Sequence, residues 1–253
     1  MVSHNLLPMT FSNLIKGEIF KLNLAGERVF LSSVELVNEV CDEKRFHKVV
    51  SGALEQVRNG TPQGLFTSRT GEHHWEVAHR TLMPAFGPLS IHSMFDEMHD
   101  IASQLVVKWA RFGPNEKIVV TDDFTRLTLD SIALCAMGTR FNSFYHEEMH
   151  PFVDAMMSFL TESGARATRP AIASYFTRAA NQKFEEDMAF MARTAEELMD
   201  ERRKYPVDKK DLLNAMLHSK DPKTGETMSD QSIRDNMITF LIAGKWCPCR
   251  ILR

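Results

Sequence analysis

The sequence lacks several features that would place a protein in a membrane or on a nucleic acid. No stretch approaches the roughly 18 uninterrupted apolar residues of a membrane span. The first residues carry no basic segment followed by an apolar core, so we expect no signal peptide. Basic residues are not in excess, since the net charge is −3, which argues against nucleic acid as a partner. The four cysteines show no disulfide pattern and no zinc spacing, which favours a reducing, cytoplasmic compartment.

Motifs for several reaction classes are also absent. No G-x-G-x-x-G or G-x-x-x-x-G-K is present, so no phosphate-binding loop is expected. No G-x-S-x-G places a nucleophilic serine between a strand and a helix. His73, His74 and His79 are close in sequence, but their spacing does not converge on one helix face, and no further ligand completes a zinc site.

What the sequence does contain is helical periodicity over most of its length. The one strand signal is 17–33, where two β-prone runs flank Ala25-Gly26. We therefore predict one mainly α domain with a small β-hairpin. From their apolar spacing, helices are predicted over 34–40, 45–58, 71–83, 90–111, a segment capped by Asp122 or Asp123, 141–160 with an interruption near 150, 181–203 and 211–218, with a looser segment over 162–180.

The stretch 229–244, SDQSIRDNMITFLIAG, predicts the helix around which the core is built. Ser229 can cap its first turn by accepting a hydrogen bond from a backbone N–H, and Asp230 suits the positive end of the helix dipole. The helix begins polar and becomes apolar on all sides from Met237 onward. A helix that is apolar on every side is buried. The nine residues that follow, KWCPCRILR, do not continue this pattern.

Trp75 and His79 are four residues apart and so share one helix face, while Lys48 lies on a preceding helix. An indole N–H, an imidazole and an ammonium group together suit a pair of anionic groups, such as the propionates of haem. The same spacing also fits a packed tryptophan, an exposed histidine and a solvated lysine. Spacing alone leaves both interpretations open.

Three longer runs resemble cytochromes P450. They are GLFTSRTGEHHWEVAHRTLMPAF (64–86), DDFTRLTLDSIALCAMGTRFNSFY (122–145) and KDPKTGETMSDQSIRDNMITFLIAG (220–244). They resemble, in turn, the segment at the distal face of the haem, the pair of helices after it, and the approach to the central helix. The similarity is greatest to self-sufficient fatty-acid hydroxylases fused to a diflavin reductase. It runs from about Gly17 to Gly244, and it implies the amino-terminal half of that mainly α fold, truncated within the central helix.

The resemblance implies a haem cofactor and residues that contact it. Trp75, His79 and Lys48 match positions that bond the haem propionates. Ala243 and Gly244 match the helix segment that passes over the iron. The family also uses dioxygen and NADPH-derived electrons, which the FAD and FMN of the reductase deliver.

The resemblance also implies a pocket for a fatty-acid-like substrate. Phe66 matches the aromatic residue that stands over the haem and positions the fatty-acid tail. The other matching pocket positions are Leu54, Val57, Leu65 and Ile242.

Several positions depart from the family pattern. Near Arg28, Phe30 stands where the subgroup has a tyrosine that holds the substrate carboxylate. After Gly244 the family has an acid and a threonine that deliver protons to dioxygen, whereas Lys-Trp-Cys stands here. The later E-x-x-R ion pair and the F-x-x-G-x-x-x-C-x-G loop, whose thiolate binds the haem iron, have no counterpart after residue 244.

From these departures we expect a partial P450 haem domain over 17–244 and an unrelated tail over 245–253. Gly244-Lys245-Trp246 can be encoded by GGT AAG TGG, which contains the intron-donor string GTAAGT, so the tail is hypothesised to be translated intron. Two functions are predicted. The first is part of a haem-thiolate fatty-acid monooxygenase that is inactive as given, and the second is a non-catalytic helical protein that binds apolar ligands or a partner.

Overall fold

The computed structural model describes residues 17–23, 27–42, 44–113, 115–169 and 177–251, with side chains described as far as residue 244. The chain divides into two compact units, 1–49 and 50–253. Within the described residues the fold is mainly α with one small antiparallel sheet, as the sequence predicts.

Among its described residues, the first unit contains the predicted hairpin and one helix. Strands β1 (Ile19–Asn23) and β2 (Glu27–Leu31) pair antiparallel, with Ile19 opposite Leu31. Phe20 and Phe30 stack across the strands with ring centroids 5.0 Å apart, so the phenylalanine at position 30 has a packing partner within the hairpin. Helix α1 (Val34–Val40) begins where the Ser33 hydroxyl accepts a hydrogen bond from Leu36 N. The predicted turn at residues 25–26 lies outside the described residues.

The second unit is built from helices. They are α2 (Ala53–Val57), α3 (His73–Leu82), α4 (Pro88–Ser93), α5 (Phe95–Ala110), α6 (Val120–Met137), α7 (Pro151–Thr168), α8 (Arg178–Lys204), α9 (Leu212–His218) and α10 (Asp230–Ile251). Two short 3₁₀ segments, Met83–Phe86 and Ser143–Tyr145, join consecutive helices.

Helix α10 lies at the centre of this unit, as predicted. It contacts α6, α8 and α9. Its apolar residues, including Met237, Ile238 and Leu241, are almost wholly inaccessible to solvent. The Ser229 hydroxyl accepts a hydrogen bond from Ser232 N at 3.2 Å, which confirms the predicted cap. The backbone stays helical as far as Ile251, so it does not change at residue 244.

The predicted helix over 45–58 is wrong in its first half. Only Ala53–Val57 is helical, because Gly52 precedes it with a φ of 59° and a ψ of −127°, outside the helical region. The apolar spacing of 45–50 is therefore not helical periodicity. The described backbone over 44–49 belongs to the first unit instead.

Three other predicted helices have different boundaries. The segment 90–111 is divided at Met94, where the chain turns and buries that side chain. Helix α6 begins at Val120, so Asp122 and Asp123 lie in its first turn rather than at its cap. The Asp123 carboxylate instead accepts a hydrogen bond from Trp109 Nε1 at 2.6 Å. Helix α7 begins only at Pro151 and continues to Thr168 through part of the segment predicted to be looser.

Candidate functional site

An apolar cavity of about 710 Å³ lies in the second unit, between α2, the turn that follows it, α7 and α10. Its walls are formed mainly by hydrocarbon side chains. The lining residues are Ala53, Leu54, Val57, Thr61, Phe66, Thr67, Leu160, Gly164, Thr239, Phe240, Ile242 and Ala243. A cavity of this size and character can take a drug-sized or fatty-acid-sized apolar molecule.

Most of the pocket residues expected from the sequence lie at this cavity. Leu54 and Val57 come from α2, Ile242 comes from α10, and Phe66 lies in the turn with 57% of its surface exposed. Leu65 is the exception, because its side chain packs partly buried against the hydrophobic core instead of lining the cavity. Neighbouring residues of a turn point in different directions, which a match of sequence positions does not specify.

Sequence reasoning missed the wall contributed by α7. Leu160 and Gly164 lie one helical turn apart and both line the cavity. A Cβ built on Gly164 would meet no other atom within 4 Å, so this residue leaves open space beside the helix. The usable signal was a glycine inside a helix, which costs about 1 kcal/mol relative to alanine and so suggests a packing or functional reason.

The three threonines of the lining were also missed. Their hydroxyl groups are engaged within the protein rather than with the cavity. Thr239 Oγ1 donates to the Asp235 carbonyl at 2.7 Å, and Thr67 Oγ1 donates to the Thr61 carbonyl. Thr61 Oγ1 lies 3.3 Å from Thr67 Oγ1. The cavity is therefore lined by methyl and ring carbons, with its hydroxyls used in turn and helix hydrogen bonds.

A partly buried ion pair ties α2 to the turn that carries Phe66. The guanidinium of Arg58 donates to both Glu72 carboxylate oxygens, at 2.6 and 3.0 Å, and to the Thr67 carbonyl at 2.9 Å. Burial raises the pKa of the Glu72 carboxyl, but its hydrogen bonds with Arg58 and Arg69 N outweigh burial and leave the pKa lowered. Such a bidentate pair holds both elements in one geometry.

Trp75 and His79 lie on one side of α3, as their spacing predicts. Their rings stack with centroids 4.8 Å apart and an interplanar angle of 17°, and both residues are half-buried. Lys48 belongs to the first unit, and its predicted role beside Trp75 stays a prediction. His73 and His74 have other partners, Glu226 at 2.6 Å and Ser68 Oγ at 3.0 Å.

Ala243 and Gly244 follow one another on α10 but have different surroundings. Ala243 is exposed and lines the cavity, although Leu241 and Ile242 before it are buried. A Cβ built on Gly244 would lie 2.8 Å from Ile132 Cγ2, so this glycine marks a close approach of α10 to α6. Of the two, Ala243 is the residue whose side chain reaches the cavity.

These features belong to a known protein family. The family model for cytochrome P450 matches residues 9–245, and the chain belongs to this family. The resemblance found in the sequence is thereby confirmed. Among the described residues, no helix combines the length and apolar character required to cross a membrane.

The relatives are P450 proteins joined to a reductase. A bifunctional cytochrome P450/NADPH–P450 reductase of Aspergillus oryzae is 59% identical over 229 residues, which cover 90% of this chain and 21% of that protein. A protein of the same description from Fusarium oxysporum is 56% identical over 230 residues, covering 90% and 22%. A self-sufficient cytochrome P450 monooxygenase of Exserohilum turcicum is 54% identical over 229 residues, covering 90% and 21%. The chain thus spans about a fifth of the length of these curated relatives.

The residues present fit the haem that this family implies. Haem is a flat apolar ring with two carboxylate groups at one edge. Trp75 and His79 are half-buried on one side of α3, and an indole and an imidazole are groups that can donate hydrogen bonds to such carboxylates. The small Ala243 side chain is exposed at the cavity wall directly after two buried residues of α10, and a flat ring can lie against such a side chain.

Proposed function

We propose that this chain provides the substrate-facing part of a haem-thiolate monooxygenase that hydroxylates fatty-acid-like molecules. Dioxygen would be the oxidant, and NADPH would supply electrons through the FAD and FMN of a reductase, with the cytoplasm as the proposed compartment. The observation that carries the proposal is the apolar cavity of about 710 Å³ bounded by Phe66 and Ala243. Family membership and the reductase named in the relatives support it.

In this proposal the chain's own residues bind and orient the two reactants. Trp75 and His79 would hold the haem propionates, and Ala243 and Gly244 would form the helix surface beside the ring. When bound, haem supplies the activation of dioxygen. Phe66 and Ile242 line the cavity in which the substrate would bind, and their apolar side chains would exclude water from the bound substrate.

The lining predicts how affinity should depend on the substrate. Each methylene that leaves water contributes about 0.8 kcal/mol, so binding should strengthen with chain length until the cavity is filled. The threonine hydroxyls are already engaged in the protein. Recognition within this cavity should therefore depend on the hydrocarbon part of the substrate.

A hybrid protein tests the proposed reaction. Residues 1–244 would replace the matching segment of the Aspergillus oryzae relative, which supplies the remainder of the haem domain and the reductase. We expect a reduced, CO-bound spectrum of the thiolate type and NADPH-dependent hydroxylation of dodecanoic acid. A thiolate-type spectrum without any hydroxylated product would contradict the proposed substrate class.

A matched pair of variants connects that activity to the cavity. Phe66→Ala should change the distribution of hydroxylated positions, because it enlarges the cavity beside Ala243. Phe112→Ala removes an exposed phenylalanine that does not line the cavity, and it should leave the distribution unchanged. If both variants give the same product distribution as the parent hybrid, the cavity is not the substrate-binding site.

A second candidate function is the binding of an apolar ligand or a partner without catalysis. It is favoured by one observation, that all the described residues that line the cavity come from the second unit of this chain. Calorimetric titration of the 253-residue chain with dodecanoic acid, without haem, tests it. Saturable binding that Phe66→Ala weakens would support a binding protein, and no binding would exclude a fatty acid as its ligand.

A further inference from the structure

The beginning of α10 carries polar side chains that are buried on the side facing the turn 61–67. Asp235 and Asn236 are 0% exposed, and Ser232 is 2% exposed. Buried polar groups of this kind destabilise a fold unless they are hydrogen-bonded. Their partners therefore indicate what this polar side of the helix does.

Asp235 and Asn236 have main-chain groups of the turn among their partners. Asp235 Oδ2 accepts a hydrogen bond from Gln63 N at 2.9 Å, and Asn236 Oδ1 accepts one from Leu65 N at 2.9 Å. Asn236 Nδ2 donates to the Ser232 carbonyl at 2.7 Å, which fixes the orientation of the amide. Two adjacent helix residues thus bind two alternate N–H groups of one turn, an arrangement we call the α10 clamp.

The residue between the two bound N–H groups is Gly64, and it lies directly against the helix. A Cβ built on Gly64 would be 2.4 Å from Thr239 Oγ1 and 3.2 Å from the Asp235 carbonyl. The absence of a side chain therefore allows the turn to reach both carboxamide and carboxylate acceptors. The turn is closed on its other side by Ser68 N, which donates to the Gly64 carbonyl at 2.8 Å.

Phe66 is the residue that immediately follows the clamp. Its ring lines the cavity, yet it is 57% exposed. The backbone that carries this partly exposed ring contributes to its position. The backbone on its amino-terminal side is held at Gln63 and Leu65.

The surroundings of Asp235 fit an acceptor that is held in place. Its Oδ1 accepts hydrogen bonds from the Arg234 guanidinium at 3.1 and 3.2 Å, and Arg234 also binds Glu196 at 3.0 Å. Burial raises the pKa of the Asp235 carboxyl, and the Gln63 N–H and Arg234 act in the opposite direction. Each oxygen of the carboxylate thus has a different donor.

We propose that Asp235 and Asn236 are positioning residues that hold the main chain at Gln63 and Leu65. They thereby keep the Phe66 ring in one position at the cavity, and this position determines which ligands the cavity prefers. The proposed positioning of Phe66 depends only on the hydrogen bonds described above. The ligand preference rests on the proposed function.

Fluorine NMR tests the placement without any ligand or activity. A trifluoromethyl-phenylalanine replaces Phe66 in the complete chain, where we expect one sharp resonance. Asp235→Ala and Asn236→Ala should shift and broaden that resonance, because each removes an acceptor for the turn. Asp235→Asn keeps an acceptor oxygen and should restore a sharp line near the original position.

Gln63→Ala is the matched control. The Gln63 side chain binds Gln231 Oε1 and Ser229 Oγ, each at 3.1 Å, so this variant breaks two contacts between the same elements. It leaves both main-chain hydrogen bonds of the clamp intact. The fluorine resonance should therefore match that of the parent chain, and a shift equal to that of Asn236→Ala would overturn the proposal.

Hydrogen exchange on the unsubstituted chain keeps the proposal falsifiable if a variant fails to fold. The amides of Gln63 and Leu65 should be protected to the same extent as amides in the middle of α10. Exchange at the rate of an exposed loop would overturn the clamp, whatever the variants do. The proposal is also overturned if both alanine variants fold and their fluorine resonance is the same as that of the parent chain.

Ligand preference is measured as the ratio of dissociation constants for dodecanoic acid and a terminally branched analogue. Asn236→Ala should change this ratio by about threefold or more, while Gln63→Ala leaves it unchanged. An unchanged ratio in a variant whose fluorine resonance has shifted would overturn the specificity role. If neither acid binds the parent chain, the role in ligand preference fails there, and the resonance data alone decide on the clamp.

Discussion

The side chain of Asn236 accepts a hydrogen bond from the backbone N–H of Leu65 at 2.9 Å, although 171 positions separate the two residues. One wall of the cavity is therefore tied to the central helix by a polar contact as well as by packing. Gly64 lies beside this bond and makes the close approach possible. Stability and cavity shape should both respond to small changes at this junction.

Gly64→Ala should destabilise the chain by about 1–3 kcal/mol, as expected for overpacking in a dense region. The added methyl would lie 2.4 Å from Thr239 Oγ1, and a β-branched side chain on a helix has little freedom to move away. Urea unfolding followed by circular dichroism measures the change. Gly71→Ala is not a suitable control, because Gly71 has a φ of 87°. Gly164→Ala is one, since open space surrounds that residue.

A double-mutant cycle shows whether the Thr239 hydroxyl causes the loss. Thr239→Ala removes the atom that the Gly64→Ala methyl would meet, so the double variant should be more stable than the sum of the two single changes predicts. Strict additivity would mean that the clash lies elsewhere, for example at the Asp235 carbonyl 3.2 Å away.

The sequence predicted those elements whose determinants are local. Ser229 and the all-round apolar run after it correctly placed the central helix, since capping and burial are both written in consecutive residues. The sequence-based predictions were wrong where the structure depends on a contact or a backbone conformation that the local pattern does not show. Asp123 looked like a cap but binds Trp109, and the apolar spacing before Gly52 looked helical although the backbone at Gly52 is not.

The candidate site shows the same division. Phe66 and Val57, which the match of sequence positions assigns to a substrate pocket, line the cavity, but that match could not show that Leu65 packs against the core. The α10 clamp was not foreseen either. Asp235 and Asn236 were visible only as a polar start to a helix, and their role depends on a turn about 170 residues earlier, which no local pattern encodes.

Cys135 should resist thiol reagents in the folded chain, whereas Cys41 should react quickly. Burial, followed by the negative charge of Glu97, raises the pKa of the Cys135 thiol to about 11, while Cys41 is exposed. At about pH 8 roughly one Cys135 thiol in a thousand would be ionised even before steric exclusion, and the thiolate is the reactive form. Mass-spectrometric peptide mapping after brief alkylation assigns the label to each cysteine. Labelling of Cys135 as fast as Cys41 in the absence of urea would contradict its burial.

His150 should make stability depend on pH. Its Nδ1 accepts the N–H of Phe152 at the start of α7, and its ring stacks on Phe141 at 4.3 Å. Burial lowers the pKa of His150 below its ordinary value of about 6.5, and the attraction of Asp130 only partly opposes this. Below about pH 6.5 the unfolded chain therefore binds more protons than the folded one. The free energy of unfolding should decrease as the pH is lowered, until the pH is below the pKa of His150 in the folded chain.

His150→Asn tests this effect, because asparagine also caps helices but does not titrate. The stability advantage of the parent chain over the variant should shrink as the pH falls from about 7.5 to about 5.5, measured from urea midpoints. His92→Asn, at an exposed position in α4, should show no such change in difference. A parent–variant difference that is constant with pH would mean that the His150 proton is not linked to folding.

Arg202 and Arg203 are adjacent on α8, yet their replacement should have very different consequences. Arg202 is 8% exposed and donates to both carboxylate oxygens of Asp211 at 3.0 Å, and to the Met137 carbonyl at 2.8 Å. Arg202→Leu leaves a buried carboxylate without its partner, which costs about 3–5 kcal/mol. Arg203 forms its ion pair with Asp230 at the surface, and Arg203→Leu should cost less than about 1 kcal/mol.

Urea unfolding of both variants measures this contrast, and a third variant identifies its cause. Asp211 also caps α9 by accepting the Asn214 N–H at 2.8 Å. Asp211→Asn keeps that cap but removes the charge, so adding it to Arg202→Leu should recover part of the lost stability. If the double variant is less stable than Arg202→Leu alone, the loss comes from packing and from the lost hydrogen bond to the Met137 carbonyl rather than from a buried charge without a partner. The role of Arg202 would then be to hold the end of α6 in position, more than to stabilise the fold electrostatically.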